Sequence, residues 1–164
     1  MSENYIVING KKAELTNEQM ELLGIKARKN PFERVSKNEQ YYNISNRTRI
    51  MSYTEREDDT DQGLYNSVNY FNDLQFANQV ALHQLLYRKL LKYSYDNECT
   101  DKEWDGTNVH FYIIYNSTKK DYDIRWTRDE KEPGTVYFKS TAWATAALNE
   151  VVMPFVKEHP DFVW

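Results

Sequence analysis

The sequence predicts an α+β protein with two tandem ββ-β-α units, each a three-stranded antiparallel sheet followed by a helix. Two observations lead to this prediction. Tyr122, Ile124 and Trp126 alternate with polar residues, which is typical of a strand with one face packed and the other open. Apolar residues at spacings of three and four in 76–91 and 144–151 are typical of amphipathic helices.

Residues 1–36 are interpreted as an N-terminal appendage that precedes the two units. Its first strand is Tyr5–Ile8, and Asn9–Gly10 is the preferred two-residue turn of a β-hairpin, since both turn positions need positive φ. Thr16 and Gln19 are spaced as a capping box, which predicts a short helix after the hairpin.

The first unit spans residues 37–97. Its predicted elements, in order, are strands at 41–44 and 49–53, an acidic loop, a third strand at 65–71, and a long helix at 73–95 that begins after an Asp73 N-cap.

The second unit spans residues 98–164 and has the same order. Its predicted elements are strands at 111–115, 122–126 and 135–138, and a helix at 140–153 that has Ser140 as its N-cap and ends at Pro154.

Matching residues support a repeat. Tyr70–Phe71 and Tyr137–Phe138 are separated by 67 residues, and each pair comes just before a helix. The opening pairs, Tyr41–Tyr42 and Phe111–Tyr112, are separated by 70, so one loop differs by three residues.

Composition excludes several classes of protein. No run of about 18 apolar residues is present, so no transmembrane helix is expected, and the first residues lack the pattern of a signal peptide. The single cysteine, Cys99, excludes a disulfide framework and a multi-cysteine zinc site. The expected location is therefore the cytoplasm.

No catalytic motif is present. The sequence contains no zinc-protease, nucleophile-elbow, phosphate-loop or dinucleotide-binding pattern. We therefore expect a non-enzymatic protein with no catalytic residues, no metal and no cofactor. An enzyme is the third hypothesis, after the two binding functions described below. Its site would be assembled by the fold around Cys99 or a histidine.

Acidic clusters and nearby tyrosines are the candidate partner-binding features. The net charge is −4, which argues against a general nucleic-acid binder. The alternative interpretation of the clusters is ordinary solvated loops. The candidate partner-binding residues are Tyr53, Glu57, Asp58, Asp59, Asp61, Tyr65, Asp101, Glu103 and Asp105.

A basic region supports an alternative function. Residues 26–37 form a connector with five basic residues and one acidic residue. Two arginines lie in the predicted hairpin of the first unit, which is called the first hairpin below. The candidate nucleic-acid-binding residues are Lys26, Arg28, Lys29, Arg47 and Arg49.

The run Asn30–Val35, followed by Tyr41–Tyr42, resembles a group of largely uncharacterised proteins of phages and prophages of low-GC Gram-positive bacteria. The junctions Tyr70–Phe71 and Tyr137–Phe138 share this resemblance. The resemblance is to a sequence pattern and not to a named activity. Together with the acidic charge and the absence of a catalytic motif, it leads us to expect a cytoplasmic protein of the bacterial host cell that binds a host protein, with a CRISPR-associated or other defence nuclease as the favoured partner.

The strand-to-helix junctions are also similar to those of AP2-like DNA-binding domains, which implies an open sheet face that enters a DNA groove. Asp121 and Asp123 lie on that face in the second unit and would repel phosphate. Only the first unit, with Arg47 and Arg49, fits this role.

The leading hypothesis is an anti-CRISPR-like inhibitor that covers a basic surface of a host nuclease with its acidic loops and tyrosines. The alternative is a DNA- or RNA-binding accessory or regulatory protein that uses the first hairpin and the basic connector.

Overall fold

In the part that the structure describes, the chain forms short helices, one long helix and three pairs of strands that are neighbours in the sequence. The computed structural model describes residues 5–8, 11–22 and 30–164. Its elements are β1 (Tyr5–Ile8), β2 (Lys11–Glu14), α1 (Asn17–Leu22), β3 (Gln40–Ile44), β4 (Ile50–Thr54), α2 (Asp59–Asn66), α3 (Leu74–Asp96), β5 (His110–Asn116), β6 (Asp121–Thr127), α4 (Thr141–Ala147), a π-helical turn (Leu148–Val152) and α5 (Met153–Glu158). The α+β class is confirmed. None of the helices in these ranges has the length and apolar character needed to cross a bilayer.

The N-terminal elements follow the sequence pattern. β1 pairs antiparallel with β2, from Tyr5 opposite Glu14 to Ile8 opposite Lys11. The backbone N–H of Gln19 donates to Thr16 Oγ1 over 3.2 Å. The Thr16 N–H donates in return to Gln19 Oε1 over 2.9 Å, which confirms the capping box. The predicted Asn9–Gly10 turn lies outside the described residues, as do Lys26, Arg28 and Lys29 of the basic connector.

The two remaining sheets have two strands each, not three. β3 pairs with β4 and β5 with β6, both antiparallel. The predicted third strands are reduced to single residues. Phe71 exchanges two backbone hydrogen bonds of 2.8 Å with Tyr42, and Phe138 exchanges bonds of 3.0 and 2.7 Å with Phe111.

The acidic loop predicted in the first unit is largely the helix α2. The Asp58 carboxylate accepts hydrogen bonds from the N–H groups of Thr60 and Asp61, and Asp61 accepts one from the N–H of Asp58. This capping box starts α2 at Asp59. Because α2 includes Tyr65, the third strand predicted at 65–71 is wrong over its first half.

The long helix α3 begins as predicted after Asp73, whose side chain accepts a hydrogen bond from the N–H of Phe76. It contacts β3 and β4 as well as α4 and the π-helical turn, so it serves both halves of the chain. Tyr87, expected in the core, is 39% exposed. The buried residues of α3 are Ala77, Ala81, Leu82, Leu86, Leu90 and Ser94.

The last helix does not end at Pro154. After the Ser140 N-cap, α4 continues through the π-helical turn into α5, and Pro154 lies in the first turn of α5. Pro154 has no N–H to donate, and it follows the π-helical turn, where the regular hydrogen-bond ladder of the helix is already interrupted. The helix therefore extends to Glu158 and buries Phe155 in the core.

Candidate partner-binding site

Four tyrosines form a stack between β3, β4 and α2. The rings of Tyr41 and Tyr70 are parallel within 13°, with centroids 4.0 Å apart, and both side chains are buried. Tyr53 stacks on Tyr41 at 5.8 Å, and Tyr65 meets Tyr70 edge-on at 5.6 Å. The outer rings, Tyr53 and Tyr65, are 41% and 39% exposed. Two candidate partner-binding residues are thus the exposed ends of a buried aromatic stack.

Buried carboxylates hold the inner tyrosines. The Tyr41 hydroxyl donates to Asp61 Oδ1 and the Tyr70 hydroxyl to Glu55 Oε2, each over 2.6 Å. Arg34 donates twice to Glu55, from Nε over 3.1 Å and from Nη2 over 2.9 Å. A bidentate guanidinium–carboxylate pair is among the stronger and more specific polar contacts in proteins. We call the whole group the tyrosine–carboxylate cluster, formed by Arg34, Tyr41, Tyr53, Glu55, Asp61, Tyr65 and Tyr70.

The protonation states of the cluster follow from these contacts. The hydrogen bonds from Arg34 lower the pKa of Glu55. Burial disfavours the charged form of Asp61, but the hydrogen bond from Tyr41 and those from two backbone N–H groups outweigh it and lower the pKa of Asp61 to about 2. Burial, followed by the hydrogen bond to a carboxylate, raises the pKa of Tyr41 and of Tyr70. At neutral pH both carboxylates are therefore ionised and both phenols protonated.

We expect the free energy of unfolding to fall as the pH is lowered below about 4. The pKa of Asp61 is about 2 in the folded protein against 3.8 for an ordinary aspartate, so its stabilising effect is present above the higher value and is lost as the pH falls towards the lower one. The pKa of Glu55 is lowered in the same direction. Urea unfolding at pH values between about 7 and 2 measures this slope. Asp61→Asn, which cannot titrate, should give a shallower slope, and equal slopes in the two proteins would contradict the assignment.

Asp61 is not a surface residue. Its side chain is 3% exposed and its acceptor sites are used by Tyr41 and by the N–H groups of Arg56 and Asp58. The expectation that Asp61 contacts a partner is not supported by this placement, because a buried, hydrogen-bonded carboxylate cannot reach another protein. Buried Glu55 is internal for the same reason.

The other carboxylates of the first acidic cluster, Glu57, Asp58 and Asp59, lie at the surface. Asp58 is exposed, although it caps α2, and Asp59 is exposed in the first turn of that helix. Glu57 forms an exposed ion pair of 3.0 Å with Lys37. Tyr53 and Asp58 line the same small cleft, which places an aromatic face beside a carboxylate.

The second acidic cluster, which contains Asp101, Glu103 and Asp105, mainly stabilises its own loop. Asp105 accepts hydrogen bonds from Thr107 and Asn108, and the bond from the Thr107 backbone is the main reason that its pKa falls to about 2. Asp101 accepts a hydrogen bond of 2.5 Å from the indole of Trp104. Glu103 and Asp105 are both exposed, and Asp105 uses only Oδ1 in these bonds, so both can meet a partner.

His110, one of the histidines considered for an enzyme site that the fold assembles, begins β5. Its side chain is fully buried and lies flat against Trp104, with ring centroids 3.7 Å apart and 3° between the planes. Nδ1 lies 3.6 Å from Asp101 Oδ2, and neither ring nitrogen has a hydrogen-bond partner among the described residues. Strand alternation alone could have indicated that His110 points to the face opposite Phe111.

Cys99 is fully buried, and burial raises the pKa of its thiol. Nucleophilic attack requires the thiolate, so this environment disfavours the third alternative, a small enzyme built around Cys99. Within the described ranges, no three His, Cys, Asp or Glu side chains are grouped so that they could hold a metal ion.

The first hairpin gathers basic residues at its tip. Arg47 and Arg49 are exposed in the turn between β3 and β4. Arg88 of α3 donates from Nη2 to Thr48 Oγ1 over 3.0 Å, which brings a third guanidinium to the same tip. The sequence did not indicate Arg88, because it is 39 residues or more from the hairpin along the chain.

Comparison with known proteins found no matching family model, and no significant match among curated proteins or among solved structures.

Proposed function

We propose that this protein acts by binding and inhibiting a host protein, a nucleic-acid-handling defence nuclease, in an anti-CRISPR-like manner and without catalysis. The observation that carries the proposal is the position of Tyr53, an exposed aromatic ring supported from behind by a buried stack, beside the exposed carboxylate of Asp58, which lines the same cleft.

A rigid aromatic anchor favours tight binding. Tyr53 rests on Tyr41, which is held by its hydrogen bond to Asp61 and by its contact with Tyr70. Less side-chain freedom is then lost when Tyr53 enters a complex, and pre-organised aromatic residues are typical of binding hot spots.

The exposed carboxylates define the kind of surface that fits. Asp58 and Asp59 begin α2, and Glu103 is exposed in the other acidic loop. Carboxylates at the rim of an interface steer a partner of opposite charge. A surface that normally holds nucleic acid is rich in Lys and Arg, and covering it blocks the nuclease without any chemistry. The resemblance to phage proteins supports a host target in the bacterial cytoplasm.

We further propose that the two halves are related copies of one ββ-β-α pattern whose third strand is reduced to one residue. The bridges Tyr42–Phe71 and Phe111–Phe138 have equivalent places in each half, and a helix cap follows two residues later in both. These bridges make Phe111 the equivalent of Tyr42, and the two residues are 69 positions apart in the sequence. The sequence had instead suggested Tyr112, which is 70 positions from Tyr42.

The combined variant Tyr53→Ser and Asp59→Lys should weaken the complex with the partner at least about tenfold, because it removes an anchor and reverses a rim charge. The measurement is quantitative affinity capture from host lysate, with identification of the captured protein, followed by titration of that protein and an assay of its nuclease activity. Glu158→Lys is the matched control, since it makes the same charge change at an exposed residue in the last turn of α5. Equal affinity of the combined variant and the unchanged protein would refute the proposed surface.

The second candidate function is nucleic-acid binding, favoured by the three guanidiniums of Arg47, Arg49 and Arg88 at one hairpin tip. A salt-sensitive gel shift that is lost in the Arg47→Ala and Arg49→Ala double variant would support it against the first.

A further inference from the structure

A cleft of about 300 Å³ lies between β5, α3 and the segment that leads to Phe138. Apolar and aromatic side chains form much of its wall. The residues that line it include Leu86, Tyr87, Leu90, Tyr112, Glu132 and Trp164.

The cleft lies where the predicted third strand of the second unit fails to pair. Phe138 exchanges both backbone hydrogen bonds with Phe111, but no backbone hydrogen bond joins Val136 to Ile113 in the described part of the chain. Backbone groups of an antiparallel strand point to alternate sides from one residue to the next. Since those of Phe111 point away from β6, those of Ile113 do so too, and Ile113 lines the cleft. Its N–H and C=O therefore form an open strand edge.

The first unit closes the equivalent edge. Two residues beyond Tyr42, the N–H of Ile44 donates to Asn69 Oδ1 over 2.8 Å, and Asn69 Nδ2 donates to the Ile44 carbonyl over 2.9 Å. A side-chain amide thus takes the place of a paired strand. The residue two positions before Phe138 is Val136, which has no polar side-chain atom and cannot do the same. At this edge the two halves therefore differ in the residue two positions before the bridge, which is Asn69 in the first and Val136 in the second.

We propose that this edge accepts an extended segment of a partner protein, which adds to β5 as a further strand by pairing with Ile113. This interaction goes beyond the proposed function, because it does not involve the tyrosine–carboxylate cluster and can hold or fail independently of it. Main-chain hydrogen bonds supply the affinity in such strand additions, and pockets for alternate side chains supply the specificity.

The lining indicates which side chains the segment carries. A residue that pairs with Ile113 points its side chain to the same face as Ile113, where Leu86 and Leu90 of the shared core lie, so an apolar residue fits there. Its neighbours point to the face of Tyr112. Glu132 is the one Asp, Glu, Lys or Arg among the described residues that line the cleft.

Arginine is the residue that best suits those neighbouring positions. The planar guanidinium stacks on an aromatic ring such as Tyr112, and it pairs with a carboxylate such as Glu132 through two hydrogen bonds. The segment is therefore an apolar residue flanked by arginines.

The free protein offers a first test. Amide hydrogen exchange should be slow at Ile44, whose N–H is bonded to Asn69, and at least about tenfold faster at Ile113. Equal protection at the two amides would show that the edge is already closed and would overturn the proposal.

The second test is a titration of the isotopically labelled protein with acetyl-Arg-Val-Arg-amide, followed by NMR. We expect shifts at Ile113 and at the Trp164 indole, and slower exchange of the Ile113 amide. N-methylation of the central valine should abolish binding, because that N–H faces Ile113 in the added strand. N-methylation of the first arginine, whose N–H faces away, is the matched control and should leave binding unchanged.

Variants of the protein complete the test. Val136→Asn, which copies Asn69, should close the edge and lower the affinity for the peptide at least tenfold, whereas Thr135→Asn should not.

Glu132→Gln should weaken binding of this peptide but not of a version with alanine in place of both arginines. Binding that is insensitive to the valine N-methyl group, or the absence of localised shifts at the solubility limit of the peptide, would refute strand addition.

Discussion

Glu55→Ala is expected to lower the free energy of unfolding by about 3–5 kcal/mol, the usual cost of removing the buried carboxylate of an ion pair. The carboxylate accepts hydrogen bonds from Arg34, from the Tyr70 hydroxyl and from the N–H of Glu57, and it is fully buried. Its removal leaves a guanidinium and a buried phenol without their acceptor. Urea denaturation followed by circular dichroism measures the change.

The control is Glu57→Ala, two residues along the chain. Glu57 forms an ion pair with Lys37 in which both side chains are 59% exposed, and exposed pairs of this kind contribute at most about 1 kcal/mol. If both alanine variants lost the same small amount of stability, the tyrosine–carboxylate cluster would not be an important source of stability.

Phe138→Ala is expected to lower the free energy of unfolding by about 3–5 kcal/mol, the range for truncating a buried aromatic residue. Its side chain is fully buried in the core formed with Leu86, Leu90 and Ile113. Its backbone also bridges Phe111, so a cavity here loosens the contact between the segment that leads into α4 and the edge of β5. Urea denaturation gives the change in stability, and hydrogen exchange at Phe111 reports the bridge.

The matched control is Trp126→Ala. Trp126 is the larger residue, but it is 61% exposed and one ring face is covered by Arg128 at 5.9 Å. Its truncation should cost about 1 kcal/mol or less. A larger loss at Trp126 than at Phe138 would mean that the core of the second half is wrongly assigned.

The alternation of residues in β6 predicted the face of the sheet on which Trp126 lies, but not that its ring is exposed. Period-two alternation predicts that Tyr122, Ile124 and Trp126 share one face, and the register confirms that they lie opposite Tyr115, Ile113 and Phe111 on that face. Alternation does not show how far the covering helix extends. The helix covers the middle of the strand and leaves Trp126 exposed at the end.

Local signals in the sequence were reliable where the interacting groups lie within a few residues of one another. The N-caps Thr16, Asp73 and Ser140 all accept the predicted hydrogen bonds from a backbone three residues ahead. The same kind of signal, Asp58 followed by Asp61, was present at the start of α2 but was interpreted as a loop because the segment is acidic. The starts of α1, α2, α3 and α4 were therefore encoded locally.

The sequence alone determined the α+β class, the hairpins and the beginnings of the long helices, because caps and strand alternation depend on near neighbours. Only the tertiary structure decided which carboxylates are surface groups and which edge of β5 stays open. Glu55 is buried because Arg34 and Tyr70 lie beside it, 21 and 15 residues away, and burial of a charge depends on partners of that kind. Likewise, the difference between Asn69 and Val136 acquires meaning only when each is placed against the edge of a strand, next to Ile44 or near Ile113.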